Sequence, residues 1–217
     1  MMTDPRKALA DARLYGILDL GYVTAEKAEE ATRALLKGGV DLLQLRAKTW
    51  TEAAILELGK KIAPLCKEAG VPFVMNDFPS LAIELDADAL HLGQDDGSLE
   101  EARKLVGDQM LLGRSTHSPE QARQALLDGF DYIGFGPLFP TPTKLGRPGI
   151  GMDHVRAVQA DVGIRIPVFC IGGIRRDNLA QVIEAGARRV VIVSDLLTAP
   201  DIATAVAEVQ SSLRSAG

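Results

Sequence analysis

Cysteine is scarce in this chain: only Cys66 and Cys170 occur, with no CxxC pair. That excludes a disulfide framework and a structural zinc site, and it suits a reducing, cytoplasmic setting. Long apolar runs are missing too. Nowhere do about 18 consecutive hydrophobic residues occur, and no apolar segment follows the charged start Met1 to Lys7. A membrane span and a secretory signal are not expected. Positive charge is outweighed, with 24 Lys and Arg against 29 Asp and Glu and a net charge of -5, the wrong sign for a protein held to nucleic acid by its overall field. Aromatic residues make up 5%, too few for a base-stacking platform. Any anionic ligand must be met by local cations or backbone N–H groups.

What is present is a sizeable supply of core. Hydrophobic residues account for 47% of 217, a composition ordinary for a globular chain. Short runs of Leu, Ile, Val and Phe alternate with amphipathic stretches, the pattern of repeated βα units around a parallel sheet. The sequence predicts eight strands: 14–18, 42–45, 73–75, 89–92, 111–113, 132–135, 168–171 and 190–193. Gly38, Gly70, Gly129 and Gly186 stand where helices need a left-handed C-terminal residue. Ser118-Pro119-Glu120-Gln121 reads as a helix start, with Ser as N-cap, Pro at the first position and Gln as capping-box partner. No linker or charge block divides the chain. Eight units in 217 residues leave about 27 each, short but sufficient for a single-domain (β/α)8 barrel over 1–217. The competing open doubly wound sheet wants a glycine fingerprint after its first strand; Leu18-Asp19-Leu20-Gly21-Tyr22 lacks it, and no Walker A loop occurs.

In such a barrel the chemistry gathers just after the strands, at the C-terminal rim. Strand 2 leads into Gln44-Leu45-Arg46-Ala47-Lys48, whose period of two puts a neutral donor and two cations on one side, suited to an anion. A strand end with solvated Arg and Lys would read the same. Strand 3 ends in Asn76-Asp77 and strand 4 in His91-Leu92-Gly93-Gln94-Asp95-Asp96. If these strands are neighbours, Asp77 and Asp96 can share a hard cation such as magnesium, which takes one or two carboxylates and completes its shell with water and phosphate oxygens. As separate residues either Asp would serve as a helix N-cap. Arg114-Ser115-Thr116-His117 follows strand 5, and a long loop with Thr141-Pro142-Thr143-Lys144 follows strand 6, suited to closing over phosphate. Gly172-Gly173 after strand 7 and Val193-Ser194 after strand 8 lie where barrels commonly cradle a phosphate on backbone N–H groups. A tight turn would also explain the two glycines. Two anion sites, and therefore two phosphorylated small-molecule substrates, are expected.

Taken in this order and spacing, these stretches resemble the thiamine phosphate synthase family of single-domain barrel enzymes, from about Tyr15 to Leu197. The resemblance implies coupling of 4-amino-2-methyl-5-hydroxymethylpyrimidine diphosphate to 4-methyl-5-(2-hydroxyethyl)thiazole phosphate, with release of diphosphate. It implies that Gln44, Leu45, Arg46, Ala47, Lys48, Asn76, Ser115 and Lys144 form the pyrimidine diphosphate site. Of these, Ser115, Arg46, Lys48 and Lys144 would act in catalysis. Asp77 and Asp96 would ligate one magnesium ion per subunit, and Thr141, Pro142, Thr143, Gly173, Val193 and Ser194 would hold the thiazole phosphate. A homodimer is compatible with the outer helices. The chain departs from the family pattern at Arg114, where a small apolar residue is common, and at Asp195, where Ala is usual. Arg114-Ser115-Thr116-His117 is also reminiscent of the thiazole tautomerases, in which His117 would be a proton shuttle. A non-catalytic barrel binding thiamine precursors is the third reading; it would have no need of the carboxylate pair.

Overall fold

The computed structural model describes residues 4–141 and 149–215. Eight parallel strands close into a barrel in sequence order: β1 (Leu14–Asp19), β2 (Leu42–Arg46), β3 (Phe73–Asn76), β4 (Ala89–Leu92), β5 (Leu111–Thr116), β6 (Tyr132–Phe135), β7 (Val168–Cys170) and β8 (Val190–Ile192). Their positions agree with the sequence expectation to within a few residues. Between them run α2 (Ala25–Gly38), α3 (Glu52–Ala69), α4 (Pro79–Glu84), α5 (Leu99–Val106), α6 (Pro119–Asp128), α7 (Val155–Asp161) and α8 (Leu179–Glu184). A short α1 (Pro5–Asp11) precedes the barrel, and α9 (Ser194–Leu197) and α10 (Ile202–Ser215) follow it. Among the described residues no helix is long and apolar enough to cross a membrane.

Each strand is buried on both faces, and the alternation of its side chains makes two cores. Leu18, Leu43, Leu45, Met75, Leu90 and Ile133 pack outward against the helices. Tyr15, Ile17, Leu42, Val74, Tyr132 and Phe169 fill the barrel, with Leu9 and Ala12 closing its N-terminal end. The rings of Tyr15, Tyr132 and Phe169 meet edge to face with centroids 5.4 to 6.0 Å apart, a favourable quadrupole arrangement.

Two local expectations are corrected. Gly39, with φ 96°, carries the left-handed cap of α2 rather than Gly38. Gly38 is required for another reason: a Cβ there would lie 2.5 Å from Val206 Cβ and 2.7 Å from the Ala203 carbonyl, so α10 can approach only a glycine. Ser118 does cap α6, but the Gln121 side chain accepts from the His117 N–H at 2.8 Å instead of from Ser118; a full capping box forms at Ser98 and Glu101. Asp88 also has a structural role, its carboxylate accepting from the Phe73 N–H at 2.8 Å at the start of β3.

Candidate active site

The side chains of Gln44 and Arg46 enter the barrel from β2, while Leu45 and Ala47 face the helices in the outer core and have only backbone atoms to offer a ligand. Gln44 is buried, and its amide donates to the Tyr15 hydroxyl at 2.7 Å. From there a polar chain rises through the barrel. The Tyr15 and Tyr132 hydroxyls are 3.1 Å apart, Tyr132 meets His91 Nδ1 at 3.3 Å, and His91 Nε2 meets the Ser115 hydroxyl at 3.0 Å. Burial pushes both phenols above their ordinary range, so they remain neutral hydrogen-bonding groups. This chain fixes Ser115 at the rim from below.

Asp19 pairs with Arg46 across β1 and β2, whose register sets the two residues directly opposite. Asp19 also accepts from the Gly21 N–H at 2.9 Å, so it both caps its own turn and holds the guanidinium. One rim position further, Lys48 Nζ lies 3.3 Å from Asp77 Oδ2. Asp77 follows the buried Asn76 and has φ 66°, a conformation that costs a non-glycine residue about 1–2 kcal/mol and marks a site held by its surroundings. Its N–H donates to the His91 carbonyl at 3.0 Å, tying the ends of β3 and β4 together. Burial raises the Asp77 pKa, the facing Asp96 carboxyl raises it further, and Lys48 offsets part of the effect. The two predicted metal ligands therefore meet at one end of the barrel. Among the described residues no group of three or more His, Cys, Asp or Glu converges in this way. Neither cysteine offers a thiolate, because burial pushes Cys66 and Cys170 up to about 12.

Arg114 braces the turn that carries Asp96. Its guanidinium donates to the Gly97 carbonyl at 2.7 Å and the Gln94 carbonyl at 3.0 Å and lies 5.4 Å from the Phe130 ring centroid. Gln94 in turn donates to the Ser115 carbonyl, and Asp96 accepts from the Gly93 N–H at 2.6 Å. The turn after β4 is thus fixed to β5 at both ends.

Across the rim, Gly172 and Gly173 have φ of 100° and 64° and turn their backbone sharply after β7. A Cβ on Gly173 would come within 2.7 Å of Phe139 Cβ, so both conformation and space require glycine there. Asn178 locks the turn, donating to the Gly173 carbonyl at 2.9 Å and accepting from the Arg175 N–H at 2.7 Å. A cleft is lined by Pro137, Thr141, Gly172, Gly173, Val193 and Ser194. Asp195 accepts from Arg176 Nε at 2.9 Å and Arg176 N at 3.1 Å, which accounts for the acid following Ser194: it joins the segments after β7 and β8. His117 Nδ1 contacts the Gly136 carbonyl at the end of β6. Pro142, Thr143 and Lys144 lie outside the described residues.

Sequence reasoning missed Asp19, Tyr15, Tyr132, Gln94 and Asn178. Asp19 alone had a readable signal, an acid at the end of the first strand; Tyr15, Tyr132 and Gln94 act through partners far away in sequence, and Asn178 acts within its own turn.

The geometry defines a (β/α)8 barrel with an acid pair and cations on one side of its C-terminal rim and a glycine turn beside Ser194 on the other. A family profile described as thiamine monophosphate synthase matches residues 14–196. A thiamine-phosphate synthase of Thermus thermophilus is 48% identical over 176 residues, covering 81% of this chain and 84% of the relative. One of Shouchella clausii is 39% identical, covering 89% of this chain and 92% of its own. A solved thiamine phosphate pyrophosphorylase of Pyrococcus furiosus superposes with a TM-score of 0.86 at 30% identity, covering 97% and 98% of the two chains. The chain belongs to the thiamine monophosphate synthase family.

Proposed function

We propose that this protein is a thiamine phosphate synthase, joining 4-amino-2-methyl-5-hydroxymethylpyrimidine diphosphate to 4-methyl-5-(2-hydroxyethyl)thiazole phosphate. The observation that carries the reading is the meeting of Asp77 and Asp96 beside Lys48, on the same rim as the Gly173–Ser194 cleft. Two carboxyls within hydrogen-bonding reach of one another, one with its pKa raised, form a donor set suited to a divalent cation. Asp77 and Asp96 would hold magnesium. When bound it supplies positive charge to the diphosphate.

The protein's own groups divide the work. Arg46 and Lys48 approach the same side of the rim and meet the charge that develops as the methylene C–O bond breaks and diphosphate departs with the electron pair. Gln44 and Asn76 orient this substrate from below. Ser115, pinned by His91, stands beside the pyrimidine. The turn at Gly172 and Gly173 and the Ser194 end of β8 hold the thiazole phosphate, with Thr141 on the near wall. Fixing that phosphate aims the thiazole nitrogen at the methylene carbon left electron-poor by diphosphate loss, and the new C–N bond replaces the broken C–O bond. Lys144 and Thr143 complete the loop assignments. The pyrimidine amino group stabilises the cationic methylene, so the route is dissociative and needs no covalent nucleophile from the protein.

The test is diphosphate release on mixing both substrates, with and without magnesium. Release that requires both substrates and magnesium is expected. Binding of thiazole phosphate with no diphosphate release would overturn the reading in favour of a non-catalytic barrel.

A further inference from the structure

The opposite end of the barrel carries a second concentration of positive charge. A cavity of about 560 Å3 opens beneath the starts of β1 and β8 and is lined by Asp11 and Arg13 next to β1, Arg188 and Arg189 before β8, and Leu213 of α10. Its size falls in the range of small-molecule pockets, about 300–1,000 Å3. Three guanidinium groups face it against the one carboxylate of Asp11. The nearby Asp41 does not line the cavity; its Oδ2 accepts from the backbone N–H groups of Arg13 and Leu14 at 2.9 and 2.8 Å and from Gln210 at 2.9 Å.

Structural duties use few of these donors. Arg13 gives Nη1 to the Leu213 carbonyl at 2.8 Å, and Arg189 gives Nη2 to the Ala10 carbonyl at 2.8 Å. Arg189 Nε is buried and has no hydrogen-bond partner among the described residues, which leaves this guanidinium under-satisfied by the protein. Burial and the neighbouring Arg188 and Arg13 weaken the hold of Arg189 on its proton, as expected where positive charge is left uncompensated.

We infer that this cavity is a second anion site, binding a compact phosphoryl dianion on Arg13, Arg188 and Arg189 at the face opposite the proposed active site. Guanidinium forks suit phosphate oxygens, and a dianion matches the excess of three arginines over the one carboxylate that lines the cavity. Occupancy would also tie α1 and α10 to the barrel floor through the same arginines, which reach the Ala10 and Leu213 carbonyls.

The test is calorimetric titration of the full chain with inorganic phosphate, and separately with inorganic diphosphate, in the absence of magnesium. Arg188→Glu is the cleanest variant, since Arg188 is exposed and its replacement should leave the fold intact. Arg189→Gln is the second variant. Wild-type protein should show a phosphate-binding component that weakens about tenfold or more in both variants. The rate of diphosphate release from saturating substrates should be unchanged in Arg188→Glu. A diphosphate-binding component that is tighter than that for phosphate and is lost in both variants would support the site and assign it to the larger anion. Identical isotherms for wild type and both variants would overturn the inference, whatever the outcome of the synthase assay.

Discussion

Asp77 and Asp96 face one another across the ends of β3 and β4, and the contact, with burial, raises the Asp77 pKa above its ordinary 3.8. A raised folded-state value means that the folded protein binds this proton more tightly than the unfolded chain does. The resulting stabilisation is fully present below 3.8 and is lost as the pH rises through the raised value. At neutral pH the ionised Asp77 therefore costs the protein stability, and a bound divalent cation would recover it.

Asp77→Asn separates this electrostatic cost from function. Without metal at neutral pH the variant should melt at the wild-type temperature or above, and its stability should depend less on pH. Magnesium should raise the Tm of wild type and leave the variant unmoved. Turnover should fall by about a hundredfold or more, the scale of losing a preorganised charge-stabilising group. Near-normal turnover in Asp77→Asn would remove the metal assignment.

Arg114 would influence the proposed magnesium only through the turn it braces, so its replacement should act on affinity rather than on chemistry. Arg114→Met removes the donors to Gly97 and Gln94 while keeping the apolar contact with Phe130. The magnesium concentration giving half-maximal rate should rise about tenfold, the effect typical of groups that orient a ligand, while kcat at saturating magnesium is largely kept. A kcat that falls with no change in magnesium dependence would show that the brace serves the fold alone.

Gly173→Ala tests the opposite side of the rim. Alanine at φ 64° costs about 1–2 kcal/mol and its Cβ presses on Phe139. The turn should open away from Ser194, raising KM for the thiazole phosphate about tenfold or more with little change for the pyrimidine diphosphate. Equal effects on both substrates would place the turn outside the thiazole site.

The βα rhythm was legible because each buried strand is a short apolar run and each helix an amphipathic one, and Gly70 and Gly129 do cap helices in the left-handed conformation. The rim positions of Gln44, Arg46, Asp77 and Asp96 followed from the strand ends. Their partners did not. Tyr15 reads as one more apolar strand residue, yet its hydroxyl takes the Gln44 amide; Tyr132 looks equally ordinary, yet it links Tyr15 to His91. Such pairs depend on barrel closure, which joins Tyr15 to Tyr132 across 117 positions. Gly38 and Gly39 show the same limit locally: adjacent glycines differ in purpose because α10 leaves no room for a side chain on Gly38, whereas Gly39 turns the chain in the left-handed conformation.

Arg46 has two duties that a double substitution can separate. The Asp19 it pairs with is 3% exposed and would be left as a buried, unmatched carboxylate if Arg46 were removed. Breaking such a pair from one side typically costs about 3–5 kcal/mol, whereas replacing both partners can be nearly neutral. Arg46→Met should therefore lower the urea midpoint strongly, and Asp19→Asn combined with Arg46→Met should recover most of the loss, the Asn amide oxygen still accepting from the Gly21 N–H. Diphosphate release should stay low in both proteins, because neither supplies the cation that meets the leaving group. Recovery of turnover together with stability would show that Arg46 holds the rim in shape without touching the diphosphate.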